Sequence, residues 1–328
     1  MINFLIATAF LMSSVNKNQL DIIPSGENIV FEIKPEGIII TGSYKVKIDS
    51  YSYDPLKDSD IRIGDIILEV NNTKISSIEE FLDAINQNQE TTYSVNLLIK
   101  RNQSKITKKL NIKKLDNIPK TGLFVKERVL GVGTLTFIDT ENNIYGALGH
   151  EVIDNSTNQI IDVDSGYIYK ENVINISKGS NGNPGEKQST TNLSVKLGDI
   201  EANTEYGIFG NLDSSKNSSY VTSIANRNEV KLGKATILTC IEGNKVEEFE
   251  IAITSLKKQE LKGITFKITD ERLLKKAGGV YSGMSGSPII QNGKLVGAVT
   301  HVIVNNISTG YGIYIEDMYE ECLENCRK

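Results

Sequence analysis

The chain has 328 residues, more than a single hydrophobic core usually supports, so we expect two domains. Its 39% hydrophobic and 23% charged residues are typical of a globular protein and exclude a disordered or fibrous one. The formal net charge of −5 argues against nucleic acid as a partner, because phosphate binding needs a basic surface.

The first predicted element is the apolar run at residues 2–12, which has the length of a signal-peptide core but is short for a membrane span. No Lys or Arg precedes this run. We expect residues 1–24 to form a signal or membrane-anchor segment. A hydrophobic N-terminal strand is the alternative that the length of the run leaves open.

The next element centres on residues 61–71, IRIGDIILEVN, followed over 77–86 by apolar residues at helical spacing. This order resembles PDZ domains, in which a Gly-Asp turn leads into an apolar strand and then into a helix that forms one wall of a peptide groove. Gly64 and Asp65 match that turn. Any small β-rich domain with a Gly-Asp turn is the alternative.

We therefore predict a PDZ-like domain over residues 25–116. A peptide would add to it as an extra β-strand, and we assign the peptide contacts to Gly37, Ile38 and Ile39. A polar, proline-containing segment then separates this domain from many short β-type runs punctuated by Gly, Asn, Asp and Ser. We expect these runs, over residues 117–328, to form the second domain.

The second domain contains both histidines of the chain, and His150 follows a strand that ends in small residues. An imidazole titrates near neutral pH, so His150 is the natural candidate for a general base that activates a serine. A hydrogen-bonded loop histidine is the alternative. His301 lies in an apolar strand, where we expect it to line a cleft or to pack in the core.

A carboxylate is expected beside the histidine, because it would hold the imidazole tautomer and stabilise its charged form. Several aspartates could fill this role. Asp270 opens the short helical pattern DERLLKKA, which stops at Gly278. That is also a favourable N-cap position, so helix capping is the alternative that the local pattern favours.

The candidate nucleophile is Ser285, at the centre of the glycine-dense segment SGMSGSP. Acyl transfer through a serine requires backbone N–H groups to converge on the developing oxyanion, and glycines permit the tight turn that this needs. We predict that the N–H groups of Gly283 and Ser285 form this oxyanion hole. A Gly/Ser-rich loop without chemistry is the alternative.

The cysteines form a sparse, odd set, Cys240, Cys322 and Cys326, and no Cys or His residues recur at metal-ligand spacing. We therefore predict no disulfide framework, no metal site and no cofactor. Cys240 lies in an apolar run and is expected to be a small core residue rather than a nucleophile.

Five segments are similar to the stage IV sporulation protein B peptidases, which are PDZ-containing serine peptidases of endospore-forming bacteria. The segments are YGALGH (145–150), NPGEK (183–187), YGIFG (206–210), KITD (267–270) and SGMSGSPIIQNGKLVGAVTHV (282–302). The resemblance implies a mainly β protein, with a PDZ-like domain followed by a chymotrypsin-like double β-barrel. The triad positions of that family match His150, Asp270 and Ser285 here.

The resemblance also implies a role. Such a protein is a signalling peptidase made in the forespore and exported into the space between the two sporulation membranes, either free or anchored at its N-terminus. It cleaves itself, then cleaves the regulatory subunit of an intramembrane metalloprotease, which leads to activation of a late sigma factor. Two alternatives stay open. One is a catalytically dead adaptor that binds peptides through its PDZ domain, and the other is a broad quality-control protease.

Overall fold

The computed structural model describes residues 22–213 and 220–326. Most of the predicted signal or anchor segment, residues 1–24, therefore lies outside the described residues. Within the described ranges, every helix is too short or too polar to cross a membrane.

The strands and helices fall into three groups along the chain. First come β1 (Ile22–Pro24) and β2 (Asn28–Lys34). The second group is β3 (Ile38–Ser43), β4 (Val46–Ile48), β5 (Tyr51–Tyr53), α1 (Pro55–Asp58), β6 (Ile66–Val70), β7 (Thr73–Lys74), α2 (Ile78–Asn86), β8 (Thr92–Arg101), β9 (Ser104–Leu115), β10 (Ile118–Lys120) and β11 (Leu123–Lys126). The third group is β12 (Val129–Asp139), β13 (Ile144–Ala147), β14 (Ile153–Asp154), β15 (Gln159–Ile160), β16 (Ser165–Ser177), β17 (Gly185–Asp199), β18 (Ala202–Thr204), β19 (Gly207–Asn211), β20 (Gly233–Cys240), β21 (Val246–Leu256), β22 (Ile264–Ile268), α3 (Glu271–Ala277), β23 (Tyr281–Ser282), β24 (Pro288–Gln291), β25 (Lys294–Val302), β26 (Thr309–Tyr314) and α4 (Ile315–Cys326).

The second group forms the PDZ-like domain, with the sheet order β10-β9-β8-β6-β3-β11. The predicted Gly-Asp turn is present: Gly64 has a φ of 94°, and the buried Asp65 carboxylate accepts from Arg101 Nε at 2.8 Å. The predicted helix is α2, which buries Phe81 and Ile85 against the sheet.

The second domain is built around a nine-stranded sheet that contains the path β18-β19-β13-β12-β2-β16-β17-β23. Its other half is a closed barrel in the order β20-β21-β22-β26-β25-β24. A separate cluster of buried apolar side chains fills the barrel, including Phe249, Phe266 and Ile289. The predicted fold class was mainly β, with a PDZ-like domain followed by a chymotrypsin-like double β-barrel. The β content, the PDZ-like domain and the barrel architecture are confirmed, with one half a closed barrel and the other half a nine-stranded sheet.

The predicted domain boundaries need correction, because β2 lies between β12 and β16 in the sheet of the second domain. One face of β2 buries Ile29, Phe31 and Ile33, and the other buries the polar residues Asn28 and Glu32, which suits a strand with a neighbour on each side. Conversely, β11 falls within the predicted second domain but pairs with β3 of the PDZ-like sheet. The PDZ-like domain is thus inserted between two neighbouring strands, β2 and β12.

This insertion leads to a test. We expect a chain in which residues 35–127 are replaced by Asn-Gly to fold, because Ile33 and Val129 are antiparallel partners and Asn-Gly suits a two-residue hairpin turn. A chain that begins at residue 117 should not fold, because β12 and β16 lose the strand between them. Thermal unfolding followed by circular dichroism distinguishes the two. An equally cooperative transition in the chain that begins at 117 would contradict the assignment of β2.

Candidate active site

The turn that carries Ser285 connects β23 to β24, and two glycines shape it. Gly283 has a φ of 105° and Gly286 a φ of 96°, a region of backbone conformation that favours glycine. A methyl group at Gly286 would lie 2.0 Å from the backbone oxygen of Thr134, so no larger residue fits there without displacing β12. The turn is therefore shaped by glycine, as the sequence predicts.

Buried donor groups of strand β12 hold this turn through hydrogen bonds to the carbonyl oxygens of the turn residues. The Thr134 hydroxyl donates to the Gly283 oxygen at 2.8 Å, and the Thr136 hydroxyl donates to the Gly286 oxygen at 2.7 Å. The Thr134 N–H donates to the Ser285 oxygen at 2.8 Å. Three successive points of the turn are thus fixed by buried groups of one strand.

The backbone N–H groups of the turn differ in whether they have an acceptor. The N–H groups of Gly283 and Ser285 have no acceptor among the described residues, whereas those of Met284 and Gly286 donate to Tyr281 and Val299. Two free N–H donors separated by one intervening residue are an arrangement that can form an oxyanion hole. The two predicted donors are therefore available to a ligand.

His150 follows a second turn that meets the same strand. Leu148 and Gly149 have φ values of 70° and 69°, and the Leu148 N–H donates to the Thr134 oxygen at 3.2 Å. Thr134 thus contacts both the turn before His150 and the turn that contains Ser285. The fold brings together two segments that are far apart in the chain.

The His150 ring is prepared to accept a proton. Its Nδ1 lies 2.7 Å from the Glu151 oxygen, and a carbonyl can only accept, so the Nδ1 proton is held there and Nε2 keeps its lone pair. Burial lowers the pKa of His150 below its ordinary value, which keeps the ring neutral. In this structure a backbone carbonyl performs the orienting task that the predicted carboxylate would perform.

The Ser285 hydroxyl donates to the Thr300 oxygen at 2.7 Å. Its predicted hydrogen bond to His150 is not among the contacts of the described residues. The Ser285 hydroxyl must therefore release the Thr300 oxygen before His150 can take its proton. The proton-sharing bond stays a prediction.

His301 lies beside both groups, as expected for a residue that lines the cleft. Its ring centroid is 4.7 Å from that of His150, and it borders a cavity of about 310 Å³. The cavity is lined by residues of three segments, Asn183 to Glu186, Val280 to Ser285 and Thr300 to Val302. Burial, together with the neighbouring His150, lowers the pKa of His301 to about 4. A peptide side chain next to the scissile bond could enter this cavity beside Ser285.

Asp270 does not occupy the predicted third position. It is the N-cap of α3, and its Oδ1 accepts from the Arg272 N–H at 2.9 Å. Its Oδ2 accepts from Arg272 Nη2 at 2.9 Å and from the Glu250 N–H at 3.3 Å. No described contact joins Asp270 to His150. The capping alternative is the one that the structure shows, because the helical N–H of Arg272, the Arg272 guanidinium and the Glu250 N–H of β21 already occupy both oxygens.

The predicted peptide contacts Gly37, Ile38 and Ile39 are not on an open edge. Strand β3 pairs with β6 at Ile38 and Ile39 on one side and with β11 over residues 39–43 on the other. A methyl group at Gly37 would lie 2.0 Å from the Ile67 oxygen. An added strand cannot pair there without displacing one of the two neighbours, so this assignment is wrong.

The sheet ends at β10 on one side and at β11 on the other, and β11 pairs only with β3 in the described part of the chain. The next residue, Glu127, accepts from the Ile78 N–H at 2.8 Å, so the end of β11 lies beside the first turn of α2. Phe124, in the middle of β11, is half exposed and lies 5.2 Å from the Tyr44 ring. A peptide that adds as a strand would pair with β11.

No group of three His, Cys, Asp or Glu side chains within residues 22–213 and 220–326 could hold a metal ion. The three cysteines are buried and unpaired. Burial raises the pKa of Cys240 to about 11, which makes it a poor nucleophile.

The groups that support the site could not be identified from the sequence. Thr134 and Thr136 alternate within the strand GVGTLTFID, a pattern that predicts one buried face but not its contacts. The Glu151 carbonyl belongs to the backbone, which residue types cannot reveal.

Two family models match the chain. The SpoIVB peptidase S55 model matches residues 117–319, and a PDZ domain model matches residues 37–113. None of the curated proteins compared with the chain matches it.

Among solved structures, the active form of the Rv3671c protease from M. tuberculosis is similar with 13% identity and a TM-score of 0.33. This match covers 60% of this chain and 74% of the protease. A serine-to-alanine mutant of that protease, in its inactive form, is similar with 12% identity and a TM-score of 0.32, over 60% of this chain and 82% of the mutant.

The two lowered histidine pKa values lead to a prediction about stability. The folded state binds protons less readily than the unfolded chain, whose histidines titrate near about 6.5. The stability that depends on keeping the two buried histidines neutral is therefore fully present above about pH 6.5. It is lost as the pH falls towards about 4. We expect the free energy of unfolding, measured with urea, to fall between pH 7.5 and pH 5.

The matched variant is His301→Asn, which removes one of the two groups. Its loss of stability over the same pH range should be smaller than that of the parent chain. An equal or larger loss would contradict the burial of a neutral His301.

Proposed function

The chain belongs to the SpoIVB peptidase S55 family, and we propose that Ser285 is the nucleophile of this serine endopeptidase, with His150 as its general base. The observation that carries the proposal is the double contact of Thr134 with the turns of Ser285 and His150. The free N–H groups of Gly283 and Ser285 support it. Its substrates are proteins or peptides.

In the first step, the Ser285 hydroxyl leaves Thr300 and gives its proton to His150 Nε2. The oxygen bonds to the carbonyl carbon of the peptide, and the electron pair of the C=O bond moves to the carbonyl oxygen. The Gly283 and Ser285 amides donate to that oxyanion, where one such donor contributes about 3–4 kcal/mol. The proton on Nδ1 stays hydrogen-bonded to the Glu151 backbone oxygen while the ring is charged.

In the second step, His150 returns the proton to the amine nitrogen, the C–N bond breaks and an ester with Ser285 remains. A water then gives a proton to His150 and attacks the ester. The Ser285 oxygen leaves with that proton, which restores the starting state. In each step, His150 Nε2 is the nitrogen that takes up or gives away the proton. The scheme uses no metal or cofactor.

Asp270, which the family resemblance places in the triad, has a different part in this proposal. It caps α3 and holds Arg272, while the Glu151 carbonyl fixes the tautomer of His150. A neutral carbonyl stabilises a charged ring less than a carboxylate does. The activity should therefore be modest unless a carboxylate approaches His150 when substrate binds.

We also propose the finer role that the family implies. The peptidase would be exported from the forespore, remain near the membrane through its N-terminal segment, cleave itself, and cleave a regulator of an intramembrane metalloprotease during sporulation. The family match over residues 117–319 and the PDZ domain support this role. Peptide docking at the PDZ domain would bring such partners to Ser285.

The experiment is covalent labelling. We expect a fluorophosphonate to label the purified chain, because it mimics the attacked carbonyl, and we expect Ser285→Ala to abolish both labelling and self-cleavage. The Ser285→Ala variant should keep its melting temperature, because it loses only the single hydrogen bond from the hydroxyl to the Thr300 backbone oxygen. The matched control, Ser282→Ala in the same turn, should still be labelled.

Three outcomes separate the alternatives. Absence of labelling in the folded parent chain would favour the peptide-binding adaptor. Labelling that persists in Ser285→Ala would show that another residue is the nucleophile. Digestion of unfolded casein by the parent chain would point to broad quality control rather than signalling.

A further inference from the structure

A buried ion pair lies next to Gly283, one of the two residues of the proposed oxyanion hole. Lys187 on β17 and Glu171 on β16 are in contact, and both side chains are completely inaccessible to solvent. The Ser189 hydroxyl donates to the other Glu171 oxygen at 2.5 Å. Among the ion pairs of the described residues, no other has both side chains fully buried.

Such a pair is costly to bury. Removing two charges from water carries a penalty that their mutual attraction often fails to recover, and apolar residues of similar size are frequently as stable. Burial lowers the pKa of Lys187, and Glu171 opposes this shift. Stabilisation of the fold is therefore a weak explanation for the presence of this ion pair.

The position of Lys187 suggests another reason. A methyl group on Gly283 would lie 2.7 Å from Lys187 Cε and 2.8 Å from its Nζ, so the end of the lysine packs against the Gly283 backbone. Two residues before Lys187, Gly185 pairs with Tyr281, and this pairing aligns β17 with the start of the turn. The side chain is aimed at the residue whose N–H would bind the oxyanion.

Gly283 is thus held from two directions. The Thr134 hydroxyl binds its carbonyl oxygen, and the Lys187 ammonium packs against its Cα. The Gly283 N–H belongs to the preceding peptide group, which joins Ser282 to Gly283, so these two contacts fix the Cα at the end of that group. Glu171 in turn holds the ammonium in place, because the two side chains contact each other in a site without water access.

We propose that Lys187 is a positioning residue of the oxyanion hole, which Glu171 orients. This inference rests on the proposed function of Ser285 and Gly283. The ammonium keeps the Gly283 N–H directed at the substrate and places a positive charge near the developing oxyanion. Its effect should therefore appear in the transition state and not in the binding of the substrate.

The test replaces Lys187 by Met, which keeps the unbranched side chain up to the position of Cε and removes the ammonium group. A misplacement of about 1 Å in an active site can cost on the order of a hundredfold. We expect kcat to fall by roughly tenfold or more, with KM within about twofold. The affinity for a peptidyl aldehyde, whose adduct carries an oxyanion, should fall by a similar factor. Lys196→Met, on the same strand, is the matched control and should change neither.

A second variant separates positioning from stability, because Lys187→Met alone leaves Glu171 buried without a partner. The double variant Glu171→Leu with Lys187→Met removes both charges and should fold, as judged by circular dichroism, while its kcat stays low. Recovery of kcat in the double variant would overturn the proposal, as would an unchanged kcat in Lys187→Met. If the parent chain itself is not labelled by fluorophosphonate, the assignment of Ser285 fails first.

Discussion

The site depends on the buried residue Thr134 of β12. Its N–H, its carbonyl oxygen and its hydroxyl each bind a different turn residue, and these bonds hold together the segments that end in His150 and Ser285. Each such bond contributes about 1 kcal/mol, and leaving one buried partner unsatisfied costs about 1–3 kcal/mol. A shift of β12 would therefore disturb the base, the nucleophile and the oxyanion hole at the same time.

The same strand connects the two domains. Only Glu127 and Arg128 separate β11, at one edge of the PDZ sheet, from β12, which holds the active-site turns. On the other side of the insertion, β2 pairs with β12 along six residues. A peptide that pairs with β11 would thus act on the chain a few residues from the strand that supports Ser285. The inserted domain and the strand that supports the site are thus joined by a continuous stretch of chain.

Local signals predicted the parts that local chemistry determines. The glycines around Ser285, the Gly64-Asp65 turn and the amphipathic helix α2 are each specified by neighbouring residues, and the structure has all three. Asp270 shows the limit of such signals. An aspartate before a helix is equally suitable as a cap or as a triad member, and only its surroundings decide between them.

Long-range pairing was beyond the reach of the sequence. Nothing in β2 states that its partners are β12 and β16, and nothing in β3 states that β11 covers its second edge. The contact between Lys187 and Glu171 depends on the register of a long hairpin with several irregularities. These features arise from pairing between strands that are distant in the chain. The first two changed the predicted domain boundaries and peptide contacts, and the third added the proposed role of Lys187.

The most direct measurement of the central claim is a crystal structure of the chain inactivated by a peptidyl phosphonate. We predict phosphorus bonded to Ser285 Oγ, a phosphonyl oxygen within about 3 Å of the Gly283 and Ser285 nitrogens, and His150 Nε2 within about 3 Å of the Ser285 oxygen or the leaving-group position. A phosphonate bound to another residue would contradict it. So would an adduct on Ser285 in which the imidazole stays out of hydrogen-bonding reach.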